Sequence, residues 1–239
     1  MQEAILIIFY VAILLYSVII HEVSHGLVAL WLGDATAKFA GRLTANPLKH
    51  IDPMMTIMVP ILMLIATQGR FAFGGAKPVP YNPYNLKNQK WGPALVAFAG
   101  PLSNIIIALV FAVIAKYISV TSGLKIDIIG YFIPVGATLH VMDWSGLARE
   151  ISGSADAILF TLCSMIIFWN VLLAFFNLIP IPPLDGSKLL FAVLPIKIET
   201  MAIMEQYGFV FLLLFILLFS GLVGSILYFF WLIFFNISI

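Results

Sequence analysis

The chain has 239 residues, of which 62% are hydrophobic and 10% charged, against roughly a quarter charged in soluble domains. The 12 basic and 11 acidic side chains leave a net charge of +1, so there is neither a nucleic-acid footprint nor an acidic tail. Composition specifies an integral membrane protein with its partners in the bilayer, and the single cysteine, Cys163, excludes an internal disulfide framework.

The first predicted helix runs from about Ala4 to Leu32. It has no basic leader and no small-residue cleavage site, and its apolar run is too long for a signal segment, so it reads as a retained span. Its only Asp, Glu, His, Lys or Arg side chains are His21, Glu22 and His25. Such groups are costly in lipid without partners, which makes a functional site the default reading. At i and i+4 the two imidazoles share one helix face and can grip one metal ion, with Glu22 beside them. A helix rising about 1.5 Å per residue from Ala4 reaches the far boundary in the low twenties, within reach of water and polypeptide.

Gly33 to Pro53 reads as turns and short strands. The uncharged run Pro53 to Gly69 is short for a span and holds Pro60; a re-entrant or hairpin segment is favoured over a crossing. Lys38, Arg42, Lys49, Arg70, Lys77, Lys87 and Lys90 flank it, against Asp34 and Asp52. The positive-inside rule places Gly33 to Lys90 in the cytosol and the N-terminus outside. Phe71 to Asn85 mixes Gly74-Gly75 with three prolines, which leaves extended backbone. It is either a surface loop or an edge that pairs with an extended substrate, with Gly74 and Gly75 in contact.

A second membrane helix is expected from Trp91 to Ala115. Pro101 frees a backbone carbonyl there, Gly100 admits a close neighbour, and Asn104 wants a partner in lipid, either another helix or substrate. Lys116 to Asp156 is a connector on the outer face, in which Ile128 to Met142 dips toward the membrane and His140 is structural. A third helix, Ala157 to Ile179, breaks at Pro180, Pro182 and Pro183 into an extended stretch before Asp185. Asp185 reads as an N-cap, a metal ligand, or both. Gln206 to Ile239 carries no charge and is one broken helix or a tight hairpin. The expected fold is an all-α polytopic membrane protein: a single domain over 1–239, core about 4–190, with a three-helix catalytic core, re-entrant or extended elements and a C-terminal segment about 206–239, making four to six crossings.

Catalytic zinc takes three protein ligands and leaves one position open. His21 and His25 supply two, and Trp31 at the sixth position after His25 excludes a third histidine on the metzincin pattern. Asp34 and Asp52 sit in the basic loop, where salt bridges explain them, and His50 is a loop histidine; Asp185, with only Lys188 near it, is the preferred third ligand. One Zn2+ per chain suits this donor set. Glu22 is then the general base, and Asn177 the candidate oxyanion donor, ahead of Asn104. A metal-binding channel or transporter is the alternative, since paired histidines and broken helices also line ion paths.

HEVSHG on the first helix, AGPLSN on a middle one and NLIPIPPLDG on a later one resemble the site-2 protease family of intramembrane zinc metalloproteases. GRLTANPLKHIDP and FGGAKPVPYNP are similar to a compact prokaryotic branch without PDZ or CBS domains. The resemblance implies that His21, His25 and Asp185 hold zinc, that Glu22 is catalytic and that Asn177 is the polar residue preceding the aspartate motif. It also implies hydrolysis of transmembrane segments of other membrane proteins near the cytosolic side of a prokaryotic cell membrane. Such cleavage serves regulated intramembrane proteolysis or clearance of membrane peptides.

Overall fold

The computed structural model describes residues 2–66, 74–133, 142–194 and 198–239. In chain order the α-helices are α1 (Gln2–Trp31), α2 (Thr36–Phe39), α3 (Val59–Ala66), α4 (Gly92–Lys116), α5 (Ser122–Gly130), α6 (Trp144–Glu150), α7 (Ala155–Asn177), α8 (Gly186–Val193), α9 (Ile198–Gln206) and α10 (Gly208–Ser238). No strand occurs among the described residues. Four helices, α1, α4, α7 and α10, are long and apolar enough to cross a membrane. At 23 residues α7 is the shortest of them, and its rise of about 35 Å still exceeds a hydrocarbon core of about 30 Å. This is the all-α polytopic membrane fold expected from composition.

Helix α4 lies at the centre, packed on α7 and α1, and α10 leans on both α4 and α7. The reason is legible in its buried stripe: Ala97, Gly100, Asn104, Ala108, Ala112 and Ala115 recur every three or four residues. Small side chains at helical spacing let neighbouring backbones close in where lipid supplies no hydrophobic drive. The opposite faces carry Ile106, Leu109, Val110 and Val113, all exposed, as lipid-facing positions require. Lys125 ties the end of this bundle. It is 3% exposed, and its ammonium donates to the carbonyls of Ala115, Lys116 and Ser238, at the C-terminal ends of α4 and α10. A cation there answers unpaired carbonyls and two negative helix ends at once.

Several local expectations change. Gly33 to Pro53 forms α2 and a 3-10 turn, Pro47–Lys49, in place of strands, because Asn46 caps the turn by accepting from Leu48 N–H with proline following. The described part of the Pro53 to Gly69 run is a π-helical stretch, Pro53–Met58, continued by α3. Together these described residues rise no more than about 20 Å, against a hydrocarbon core of about 30 Å. Arg70, residues 71–73 and His140 lie outside the described residues. The stretch after α7 is a succession of tight turns containing a cis Pro182-Pro183 bond, not extended chain. Its backbone bonds are short-range, from Ile181 N–H to Ile179 and from Leu184 N–H to Ile181. The C-terminal run is one helix, α10, kinked at Phe219 (φ −122°, ψ 23°), and not a hairpin.

Candidate metal centre

His21 and His25 are buried on the face of α1 that meets α4, at 5% and 9% exposure. What admits both rings is Gly100: a Cβ there would lie 2.5 Å from His25 Cε1 and Nε2 and 2.6 Å from His21 Cε1. Each ring is then pinned by its far nitrogen. His25 Nδ1–H donates to the Val96 carbonyl at 2.7 Å, and His21 Nδ1–H donates to Asn104 Oδ1 at 2.5 Å. Pro101 deprives the Ala97 carbonyl of its helical donor, but the carbonyl that His25 meets is that of Val96.

Both Nε2 atoms face the turn before α8. Asp185 Oδ2 stands 3.0 Å from His21 Nε2 and 3.4 Å from His25 Nε2. With Nδ1–H donating in each neutral ring, both Nε2 atoms present lone pairs, and a carboxylate oxygen presents another. Three electron-pair donors converging in a buried site call for a cation. Donors about 2.0–2.2 Å from a tetrahedral ion stand roughly 3.3–3.6 Å apart; the 3.4 Å separation falls on that edge and the 3.0 Å one is a few tenths of an ångström short of it. Glu22 also lies close, its ligand atom within 4.8 Å of those of both histidines. Asp185 Oδ2 is shared between the two Nε2 atoms, whereas Glu22 Oε2 is engaged by Val79 N–H at 2.9 Å.

Asp185 reaches the histidines because Gly186 follows it: a Cβ at Gly186 would lie 2.2 Å from the Leu178 carbonyl oxygen. Asp185 takes helical angles and makes no cap hydrogen bond, so the N-cap reading gives way. Lys188 pairs with Glu205 and leaves Asp185 to the histidines.

The other sequence candidates take different places. Asn104, expected to meet either another helix or substrate, is fully buried and spends its amide within the protein, from Nδ2 to Asn170 Oδ1 (2.7 Å) and to the Ser17 carbonyl (3.4 Å). Of the two partners open to it, Asn104 thus has the neighbouring helices, with both amide hydrogens engaged there. Asn177 donates to the Leu173 carbonyl of its own helix and makes no hydrogen bond to the cluster. Gly74 and Gly75 are on the proline-rich segment; the Gly75 carbonyl accepts from Thr56 Oγ1, and a Cβ at Gly75 would meet nothing within 4 Å. His50 is buried against its own loop, Nε2 on the Thr44 carbonyl. Asp52 accepts from Met54 N–H.

Two residues that the sequence reading passed over matter here. Val79 lies between Pro78 and Pro80, which lack N–H groups, so its own N–H is the donor this stretch offers to Glu22. Asn170, in the apolar run of α7, is fully buried beside Asn104. An uncharged amide gives a weak signal, though any polar side chain at mid-membrane implies a partner.

Asp34 holds the proline-rich segment in place and is not salt-bridged. Its fully buried carboxylate accepts from Thr36 N–H and Oγ1–H, Asn82 N–H and Asn85 Nδ2–H, all neutral donors. Burial alone would raise its pKa; the bonds from Thr36, Asn85 and Asn82 outweigh that and hold the carboxyl below its ordinary value. A depressed folded-state pKa stabilises the fold above the unfolded value of about 3.9, and that contribution is lost as pH falls through the folded value. Unfolding midpoints in detergent should therefore drop below about pH 4. Asp34→Asn should be less stable at neutral pH by about 1–3 kcal/mol and should lack that part of the acid slope. An identical acid slope in the variant would exclude Asp34 as its source.

Residues 9–217 match Peptidase family M50. The chain is 36% identical to "Putative zinc metalloprotease YwhC" of Bacillus subtilis (strain 168), over 87% of this chain and 80% of that protein. It is 27% identical to "Putative zinc metalloprotease Rip2" of Mycolicibacterium smegmatis, over 82% of this chain and 61% of that protein. Against the protein of the same name in Mycobacterium tuberculosis (strain H37Rv) the figures are 26%, 83% and 62%. The chain thus spans a little under two thirds of the Rip2 proteins. No solved structure is matched significantly. A family match over most of the chain, with its histidine pair and aspartate turn brought to one point, places this protein in peptidase family M50, the site-2 protease family that its motifs resemble.

Proposed function

We propose that this M50 peptidase is an intramembrane zinc endopeptidase that hydrolyses peptide bonds within or next to the transmembrane segments of other membrane proteins. The reading rests on one observation: Asp185 Oδ2 lies 3.0 and 3.4 Å from the Nε2 atoms of His21 and His25, which stand with Glu22 on a helix of membrane-spanning length. His21, His25 and Asp185 would hold one Zn2+ per chain, the metal in the names of the relatives. Zinc held by these residues would lower the pKa of water toward about 7 and polarise the scissile carbonyl. Glu22 takes the water proton and returns it to the leaving nitrogen. Its carboxylate is aimed by Val79 N–H, which fixes one oxygen and leaves the other to water. Asn177, at the end of α7, keeps a second amide hydrogen for a substrate oxygen.

The proline-rich segment running past Glu22 supplies the edge for an extended substrate, and the open space over Gly75 suits close backbone approach. Basic residues around Gly33 to Lys90 orient this end of the bundle to the cytosol of a prokaryotic cell, with the N-terminus outside. Substrate helices arrive through lipid.

Purified protein in detergent should cut a single-span substrate at a bond in or beside its apolar segment. A chelator should abolish the cut, and stoichiometric Zn2+ should restore it. If the chain instead carries metal ions into liposomes and leaves every single-span substrate intact, it is a transporter and the reading fails.

A further inference from the structure

The two imidazoles are fixed by partners of different kinds. The Val96 carbonyl can only accept, so His25 must carry its proton on Nδ1 and turn the Nε2 lone pair to the metal position. His21 faces a carboxamide, which presents oxygen or, turned over, NH2. With the NH2 end toward it, His21 would be protonated on Nε2, and the lone pair would point away from Asp185.

We propose that Asn170, on the neighbouring helix, is the positioning residue that sets the tautomer of His21 and so makes it a ligand; the inference rests on the zinc reading of the site. The chain of constraint starts at a group with no choice. The Ile166 carbonyl only accepts, and it lies 2.9 Å from Asn170 Nδ2, as does Ser17 Oγ. The nitrogen of Asn170 is thereby committed, and its oxygen faces Asn104. Asn104 must then point Nδ2 at Asn170 Oδ1, 2.7 Å away, and Oδ1 at His21. Asn104 Nδ2 also lies 3.4 Å from the Ser17 carbonyl, a weaker bond with the same sense. Asn170, Asn104 and Ser17 are at most 5% exposed, so water offers no substitute partner. Three helices thus carry one instruction from a backbone carbonyl of α7 to the zinc-facing nitrogen of α1.

The test is zinc affinity, read by chelator competition on detergent-purified full-length chain. Asn170→Leu frees Asn104 to turn over, and affinity should fall about 10- to 100-fold, the range for lost outer partners of a ligating histidine. Adding Asn104→Asp should bring it back, because a carboxylate accepts from His21 Nδ1–H at either oxygen. A merely structural role for Asn170 predicts the opposite, a double variant worse than the single. Wild-type affinity in Asn170→Leu, or a double variant weaker than Asn170→Leu, overturns the proposal. Should Asn170→Leu not fold, nitrogen-15 shifts of labelled histidine in the metal-free wild type decide: His21 protonated on Nδ1 supports the relay, and His21 protonated on Nε2 overturns it. A wild type that takes up no Zn2+ removes the metal reading and the relay with it.

Discussion

Replacing Gly100 by alanine should cost the chain its metal and its activity together. The added methyl would sit 2.5 Å from two ring atoms of His25 and 2.6 Å from one of His21, well inside van der Waals contact. Neither ring is free to give. His25 is held by Val96 and His21 by Asn104, both on α4, the helix that carries the new methyl. Relieving the clash by withdrawing α4 from α1 stretches those same two hydrogen bonds, and rotating the rings takes Nε2 away from Asp185. Overpacking of this kind costs about 1–3 kcal/mol of stability, and loss of both orienting bonds should lower zinc affinity by at least about 100-fold. Metal content per purified chain and substrate cleavage should therefore fall together. Gly221→Ala and Gly224→Ala, on α10 with nothing within 4 Å of the added carbon, should leave both at wild-type level. A Gly100→Ala protein that keeps one zinc and normal cleavage would mean that the histidines do not sit where α4 closes on them.

The parts of this site that could be read from the sequence are the parts whose chemistry is conspicuous in lipid. His21, Glu22 and His25 stand out because nothing else charged lies between Ala4 and Leu32; Asp185, which alone reads as a helix N-cap, is picked out because that pair needs an anionic third ligand. Helices α1, α4 and α7 were legible from apolar length alone, within two residues at each end, whereas length left α10 open between a broken helix and a hairpin. Connections were harder. Gly33 to Pro53 reads as short strands or turns, and the Asn46-Pro47 cap and neutral hydrogen bonds to Asp34 decide for turns; such local bonds depend on where Asn82 and Asn85 return. Asn104 was marked as needing a partner, but which one is a matter of helix register: the side chain that meets it, Asn170, lies in another helix and bears no charge. The same holds for Val79, whose contribution is a backbone N–H that no side-chain pattern announces. Gly100 announced a close approach without saying that the approaching atoms were the two imidazoles.

Glu22→Gln should separate hydrolysis from metal binding. Glutamine has the shape of glutamate and keeps a carbonyl oxygen for Val79 N–H, so the proline-rich segment need not move. The converging donors His21 Nε2, His25 Nε2 and Asp185 Oδ2 are untouched, and zinc content should stay at one per chain. What the amide cannot do is take a proton from water or return one to the leaving nitrogen, and general acid–base catalysis of this kind is worth about 10²- to 10⁴-fold. Turnover of a single-span substrate should fall by that factor with KM little changed, because Glu22 contributes to the reacting atoms and not to holding the substrate helix. Unchanged turnover would place the base elsewhere. Loss of zinc would be equally informative: it would make Glu22 the third ligand, the other assignment open to a carboxylate this close to both histidines, and would leave Asp185 to orient them. The hydrogen bonding argues against that outcome, since one oxygen of Glu22 is already bound to Val79 while Asp185 Oδ2 stands within 3.4 Å of both imidazole nitrogens. A group that must accept a proton and release it within one turnover is better kept off the metal than bound to it, and the backbone bond from Val79 holds Glu22 beside the cluster, where it can serve as that base.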